Sequence, residues 1–384
     1  MPKTILTLVG TRPEVIKVAP VVHAFRDLED PNIRHLLCAS GQHRDLTGVL
    51  FDWFELSPDH LLELMEENQT LAEFSARALR AVDRLLASEK PDLVLCQGDT
   101  TTAMVAALAS YYRKIPVGHI EAGLRTHDRY EPFPEEVNRS IIDLVSELCF
   151  APTRQAADEL RKLGVSEDRV FVTGNTGIDA LLWSMNKLDG QQARPAWLPG
   201  ELHEVASRTQ AKSVVLVTAH RRESFGTRLA NLAAGISRLA EEYPELTWIW
   251  PLHPNPRVLE SIRHVVKLRD NFRLIPPLDY PVMCWLLERT LFLITDSGGL
   301  QEECPTVGVP VLVTREVTER PEAVEAGNAV LVGTDPQYLI ESVRRLLSDP
   351  ELRASMSTPQ PVFGDGKAGR RIAEACRAFL LGTT

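Results

Sequence analysis

Short apolar runs alternate with amphipathic stretches along nearly the whole chain, and this alternation restricts the fold more than any other feature. TILTLVG (4–10) has the unbroken apolar character of a strand buried on both faces, and RPEVIKVAPVVHAFRDL follows with helical spacing and Pro13 in its first turn. DLVLCQG (92–98) precedes the helical TAMVAALASYYRK, and IPVGHIEA, SELCFAPT and RVFVTGN continue the series. A second series begins near Lys212 with SVVLVTAH, then LTWIWPLHP, FRLIPPL, LFLITDSGG and VPVLVTRE. Strand–helix alternation of this kind implies parallel sheets covered by helices on both faces. The expected fold class is α/β, with two Rossmann-like doubly wound domains and a central cleft. Residues 1–175 with about 367–384 form the first domain, and residues 176–366 the second. DGQQARPAWLPG (189–200) reads as a linker or surface loop.

The bulk properties exclude several classes. The net charge is −10 at pH 7, which argues against general nucleic-acid affinity, so an anionic ligand would need local Arg, Lys and helix N-termini. No run of about 18 apolar residues is present to span a membrane. MPKTILTLVG starts directly as a strand, without the layout of a signal peptide. The six cysteines (Cys38, Cys96, Cys149, Cys284, Cys304, Cys376) are scattered without a CxxC pair and read as buried thiols, which suits a reducing cytoplasm.

In open parallel sheets the ligand lies beyond the C-terminal ends of the strands. Here those ends carry GTRPE, GDTTT, EAGLRT, TAHRRE and TDSGGLQEE. TDSGGLQEE opens a helix, and the backbone N–H groups of Ser297, Gly298 and Gly299 are candidates for holding phosphate. Glu303, one to two turns on, has the reach for ribose hydroxyls; a plain Gly-rich turn with a solvated Glu is the simpler reading. In GTRPEVIK, Arg12 offers a planar fork for phosphate and Lys17 follows about a turn later, although Arg12 paired with Glu14 would explain the same residues. His220, at a strand end beside Arg221 and Arg222, is suited to assisting a leaving phosphate.

The carboxylates are the unusual part. Asp99, Glu121, Glu135 and Glu136 fall where a buried frame turns outward, and unpaired buried ions are costly. Acid/base work on a bound ligand is one explanation. The ordinary one makes Asp99 an N-cap and Glu135 and Glu136 helix-start residues paired with Arg139. A metal site from His119, Glu121, His127 and Asp128 is disfavoured, because no recognised ligand spacing is present. Nothing here requires a nicotinamide, since no GxGxxG is found.

Taken together, GTRPEVIK, GQHRDL, QGDTT, HIEAGLRT, PFPEEVNR, TGNTGIDAL, TAHRRESFG, HPNP, TDSGGLQEE and TERPEA resemble the non-hydrolysing UDP-N-acetylglucosamine 2-epimerases of bacteria, in order from about residue 6 to residue 335. The resemblance implies two glycosyltransferase-B-like domains, a homodimer, and no cofactor or metal. It implies UDP-GlcNAc and UDP-ManNAc as substrate and product, interconverted at C2 by anti elimination of UDP to 2-acetamidoglucal and re-addition. Matched by motif, Asp99, Glu121 and Glu135 become acid/base groups and His220 assists diphosphate departure. Arg12, Lys17, Arg139, Ser297, Gly298, Gly299 and Glu303 bind or order the ligand, and Met283 stands where relatives often carry Phe against uracil. Gln42, His43, Gln69, Glu136, Arg221 and His253 match a subsite for a second, activating UDP-GlcNAc. Asp45 and Asn68 depart from that subsite's pattern in the direction that weakens diphosphate binding. The alternatives are a two-domain nucleotide-sugar glycosyltransferase, a hydrolysing epimerase, a catalytically silent binding protein, and a 2-epimerase of a modified sugar such as a 2,3-diacetamido uronic acid.

Overall fold

The computed structural model describes residues 2–41, 44–66, 68–189, 195, 197–207, 212–219, 227–252, 258, 260, 262, 264–267, 269–318 and 320–382. Two compact units are formed: Met1–Ala180 with Phe363–Thr384, and Leu181–Val362.

The first unit holds a seven-stranded sheet in the order β3-β2-β1-β4-β5-β6-β7. Its strands are β1 (Lys3–Val9), β2 (Ile33–Ala39), β3 (His60–Leu61), β4 (Leu93–Gln97), β5 (Val117–Ile120), β6 (Leu148–Ala151) and β7 (Val170–Val172). Every pairing is parallel. β4 and β6 are buried throughout, as strands covered on both faces must be. Leu6, Leu8, Val94 and Cys96 pack against Phe74, Val82 and Ala106 of the flanking helices.

The second unit repeats the design in six parallel strands, ordered β10-β9-β8-β11-β12-β13. These are β8 (Val214–Thr218), β9 (Thr247–Pro251), β10 (Phe272–Ile275), β11 (Thr290–Thr295), β12 (Val311–Val313) and β13 (Ala329–Leu331). Its core is built around buried Trp248 and Trp250, with Trp248 edge-on to Phe292 at 6.2 Å.

Both sheets run outward in two directions from a central pair, β1/β4 in one and β8/β11 in the other. The chain reverses its strand order there, which opens a crevice at the C-terminal ends of the strands.

The last helix, Ala368–Leu381, belongs to the first unit. Gly369 permits its close approach, since a Cβ there would lie 2.6 Å from the Pro20 carbonyl oxygen on the Arg12–Asp27 helix. Asp179 Oδ1 accepts the Gly369 N–H at 2.8 Å and so caps the same end. No helix among the described residues is long and apolar enough to cross a membrane. All six cysteines are free and buried.

Candidate active site

At the first switch point, β1 ends in Gly10-Thr11-Arg12 and β4 ends in Gly98-Asp99-Thr100. Glu14 joins the two turns. Its Oε2 accepts the N–H groups of Thr11 (2.7 Å) and Gly10 (3.1 Å), and its Oε1 accepts the Thr100 hydroxyl at 2.9 Å. Burial pushes the Glu14 carboxyl up to about 7, against the lowering effect of those hydrogen bonds. Glu14 is therefore a buried brace and not only the partner for Arg12 that the sequence suggests. Arg12 is the first residue of the Arg12–Asp27 helix.

Asp99 is not the helix cap that its position suggests. Thr100 fills that place, its side chain accepting the Ala103 N–H at 3.0 Å. Asp99 is left to turn its carboxylate to Arg139, with Oδ2 2.5 Å from a guanidinium nitrogen. Asn138 Nδ2 donates to the Asp99 carbonyl at 2.9 Å.

Glu121 follows β5 with φ +70°, a left-handed conformation unusual for a residue with a long side chain. Its nearly buried carboxylate takes a short hydrogen bond from Lys17 Nζ and another from Gln97 Nε2. Lys17, expected to bind ligand, faces this carboxylate. Backbone strain of this kind persists only where the surroundings enforce it, and it clusters at functional sites. Gly98 lies between the two carboxylate-bearing turns: a Cβ on it would be 3.8 Å from Glu121 Oε2, and its N–H donates to the Ile120 carbonyl at 2.9 Å.

Glu135 opens the Glu135–Val145 helix, where the dipole favours a carboxylate. Its Oε2 is buried without a hydrogen-bond partner among the described residues, and so is Arg139 Nε. Buried polar atoms of this sort call for a partner, and a bound ligand is one. The neighbouring Glu136 is committed to the protein. It accepts the N–H groups of Thr126 (3.1 Å) and His127 (3.2 Å) and a guanidinium nitrogen of Arg139 (3.2 Å). The pairing of a helix-start carboxylate with Arg139 thus holds for Glu136, while Glu135 is left over.

His119, named first among the candidate metal ligands, is engaged by the protein. Both ring nitrogens of His119 are occupied, by Asp143 Oδ1 at 2.5 Å and the Gly98 carbonyl at 2.7 Å. Exposed His127 faces Glu159, and among the described residues no cluster of three His, Cys, Asp or Glu is arranged to hold a metal ion.

At the second switch point the Thr218 and Thr295 hydroxyls meet at 2.6 Å and link β8 to β11. Ser297 caps the Gly298–Thr306 helix, but its N–H is not directed outward: it donates to Thr295 Oγ1 at 2.9 Å. The helix opens with Gly298 and Gly299. Arg320 lies over it, and a Cβ on Gly298 would be 3.1 Å from the guanidinium carbon. Arg320 Nε also donates to buried Glu302 at 2.8 Å. Arg320 was part of a matched motif in the sequence, yet nothing local showed that it returns to this turn. Glu303 is half-buried beside the Tyr280 hydroxyl. Burial first, then Cys284 and Glu303, raise the Tyr280 hydroxyl well above its ordinary pKa. Half-buried Met283 lies one helical turn beyond Tyr280. Gln69 is held by Arg77. His220, Arg221, His253, Gln42 and His43 lie outside the described residues, as does half of the 189–200 stretch.

A buried frame that presents paired and unpaired carboxylates at one switch point, and an open helix N-terminus at the other, matches known proteins along its whole length. A family model for UDP-N-acetylglucosamine 2-epimerase matches residues 26–377. The chain belongs to the UDP-N-acetylglucosamine 2-epimerase family. These enzymes are isomerases. A family member from Yersinia pestis is 41% identical over 373 residues, covering 97% of this chain and 98% of its own. One from Bacillus subtilis is 41% identical over 370 residues, covering 96% and 94%. The crystal structure of the UDP-GlcNAc 2-epimerase from Neisseria meningitidis, bound to UDP-GlcNAc, superposes with a TM-score of 0.89 at 40% identity, covering 97% of this chain and 99% of that one. The Methanocaldococcus jannaschii enzyme, in complex with UDP-GlcNAc and UDP, superposes with a TM-score of 0.80 at 31% identity.

Proposed function

We propose that this chain interconverts UDP-N-acetylglucosamine and UDP-N-acetylmannosamine by eliminating UDP across C1–C2 and adding it back after proton return to the other face of C2. The C2 hydrogen is not acidic enough for simple removal, so departure of the diphosphate must accompany it. The chemistry needs proton-exchanging groups near C2 and cationic or N–H donors around the diphosphate. Asp99, Glu121 and Glu135 are the proton-transfer groups. Arg12, Lys17 and Arg139 order them or meet the ligand, and His220 assists the leaving diphosphate. In the second unit, the Gly298 and Gly299 N–H groups and the Ser297 hydroxyl receive phosphate at the helix N-terminus, while Glu303 takes the ribose and Met283 the uracil. The observation that carries this reading is the gathering of Asp99 and Glu121 about Gly98, with Glu135 Oε2 buried and without a partner among the described residues, on the helix that supplies Arg139. The six buried free thiols support a cytoplasmic enzyme. A homodimer is part of the same reading; exposed Tyr130, Phe133 and Leu144 give the first unit apolar surface to cover.

The test is turnover of UDP-GlcNAc in D2O, without acceptor, NAD or free metal. Deuterium is expected at C2 of the UDP-ManNAc formed. Product that retains its original C2 hydrogen excludes elimination, and release of free ManNAc identifies a hydrolysing enzyme instead.

A further inference from the structure

His119 sits at the centre of β5, in register with Cys96 on β4 and Cys149 on β6. It is fully buried, as are both thiols. Its two hydrogen-bond partners are both acceptors. A backbone carbonyl can only accept, so Nε2, 2.7 Å from the Gly98 oxygen, must carry a hydrogen. Nδ1 lies 2.5 Å from Asp143 Oδ1, a separation that two bare lone pairs could not hold. A proton therefore lies between them.

Asp143 is surrounded in a way that places that proton on the ring. Its Oδ2 accepts from Arg125 Nη2 at 2.5 Å and from the Gly123 N–H at 3.3 Å. Burial works to raise its pKa, but His119 and Arg125 outweigh burial and hold the carboxyl below its ordinary range. The titratable neighbours of the ring on the adjoining strands are Cys96 and Cys149. Burial raises both thiols, Cys149 to about 12, so they stay neutral. Glu14 faces Cys96 from the helix after β1.

We propose that His119 is a positioning residue, a doubly protonated imidazolium that clamps the Gly98–Asp99 turn to β5 and so fixes Asp99 and Glu121 relative to each other. One face of the clamp is the His119 bond to the Gly98 carbonyl; the other is the Gly98 N–H bond to the Ile120 carbonyl. Asp99 follows directly on one side and Glu121 on the other. Asp143 and Arg125 act only through the ring. The ring is fully buried with both nitrogens engaged by the protein, so His119 is not a catalytic residue. The assignment of its role, though not of its protons, rests on the proposed proton chemistry of Asp99 and Glu121.

The primary test is nitrogen-15 NMR of histidine-labelled wild-type enzyme without ligand near neutral pH, with the His119 signal assigned by loss in His119→Gln. Both ring nitrogens are expected to carry hydrogen. A ring with one bare nitrogen overturns the proposal, whatever the enzyme turns over. The second variant is Asp143→Asn, nearly isosteric. It should return the ring to a single N–H and lower kcat by about tenfold to a hundredfold, the usual cost of slight misplacement of reacting groups, with KM little changed. Unchanged kcat in a folded Asp143→Asn protein that has lost one ring hydrogen removes the positioning role. If the D2O experiment fails but the ring is doubly protonated, the proton chemistry is wrong and the clamp stands.

Discussion

The two units share a strand order and differ in what they place at its break. In the first, the turns after β1 and β4 carry Glu14, Asp99 and, one strand over, Glu121, each bound by a hydroxyl or cation from a distant part of the chain. In the second, the corresponding turns carry threonine hydroxyls joined to each other and a helix opening on two glycines. The topology guarantees a crevice in both and leaves its chemistry to a handful of side chains. On the proposed reading, the carboxylate-rich crevice exchanges protons and the helix N-terminus of the second unit receives the diphosphate.

The largest effects should fall on the first unit. Asp99→Asn, Glu121→Gln and Glu135→Gln are each expected to lose about a hundredfold or more in kcat while remaining folded, as removal of a general acid or base does. Near-normal turnover in all three, measured by conversion of UDP-GlcNAc, would erase the contrast between the units.

Glu14 gives a smaller effect, on stability. Its folded pKa of about 7 stands above the ordinary 4.5, so between those values the folded protein holds a proton that the unfolded chain has lost. The Glu14 contribution to stability is full below 4.5 and declines as pH rises towards about 7, by roughly 3 kcal/mol in all. Gln is a fair copy of the protonated side chain, able to accept from Gly10 and Thr11 and donate to Thr100. Denaturation of Glu14→Gln should match wild type at low pH and exceed it above neutrality. Parallel pH curves for the two proteins would show that Glu14 does not titrate in this window.

In the second unit, Gly298→Ala brings a Cβ within 3.1 Å of the Arg320 guanidinium carbon and covers the first N–H groups of the helix. KM for UDP-GlcNAc should rise by about tenfold, the cost of one weakened charge-assisted contact, with kcat little affected. A fall in kcat at constant KM would assign this turn to the proton chemistry and sharpen the comparison against us.

The smallest effect concerns activation. Glu136, one of the residues matched to an activating subsite, is committed to Thr126, His127 and Arg139, and Gln69 to Arg77. With Asp45 and Asn68 also unfavourable to a second diphosphate, UDP-ManNAc alone should be converted in reverse, with little stimulation by traces of UDP-GlcNAc. Reverse turnover that waits for UDP-GlcNAc would show the subsite working.

Local pattern carried the alternation of strands and helices, the parallel sheets and the polar turns at their ends, because apolar runs and turn residues act over a few neighbours. β2, β3 and β13 escaped it: β2 is interrupted by Arg34 and His35, and β3 and β13 are only two and three residues long. The candidate residues were legible as residue types in strand-end motifs. Their partners were not. Thr100 rather than Asp99 caps its helix, Lys17 reaches Glu121 across 104 positions, Glu14 reaches Thr100 across 86, and Arg320 returns to Gly298. The C-terminal helix packs against Pro20 for the same kind of reason, a glycine at one contact point. Which carboxylate is braced, which is paired and which is left open depends on contacts between segments far apart in the chain, and these exist only once the parallel sheet has brought its strand ends together.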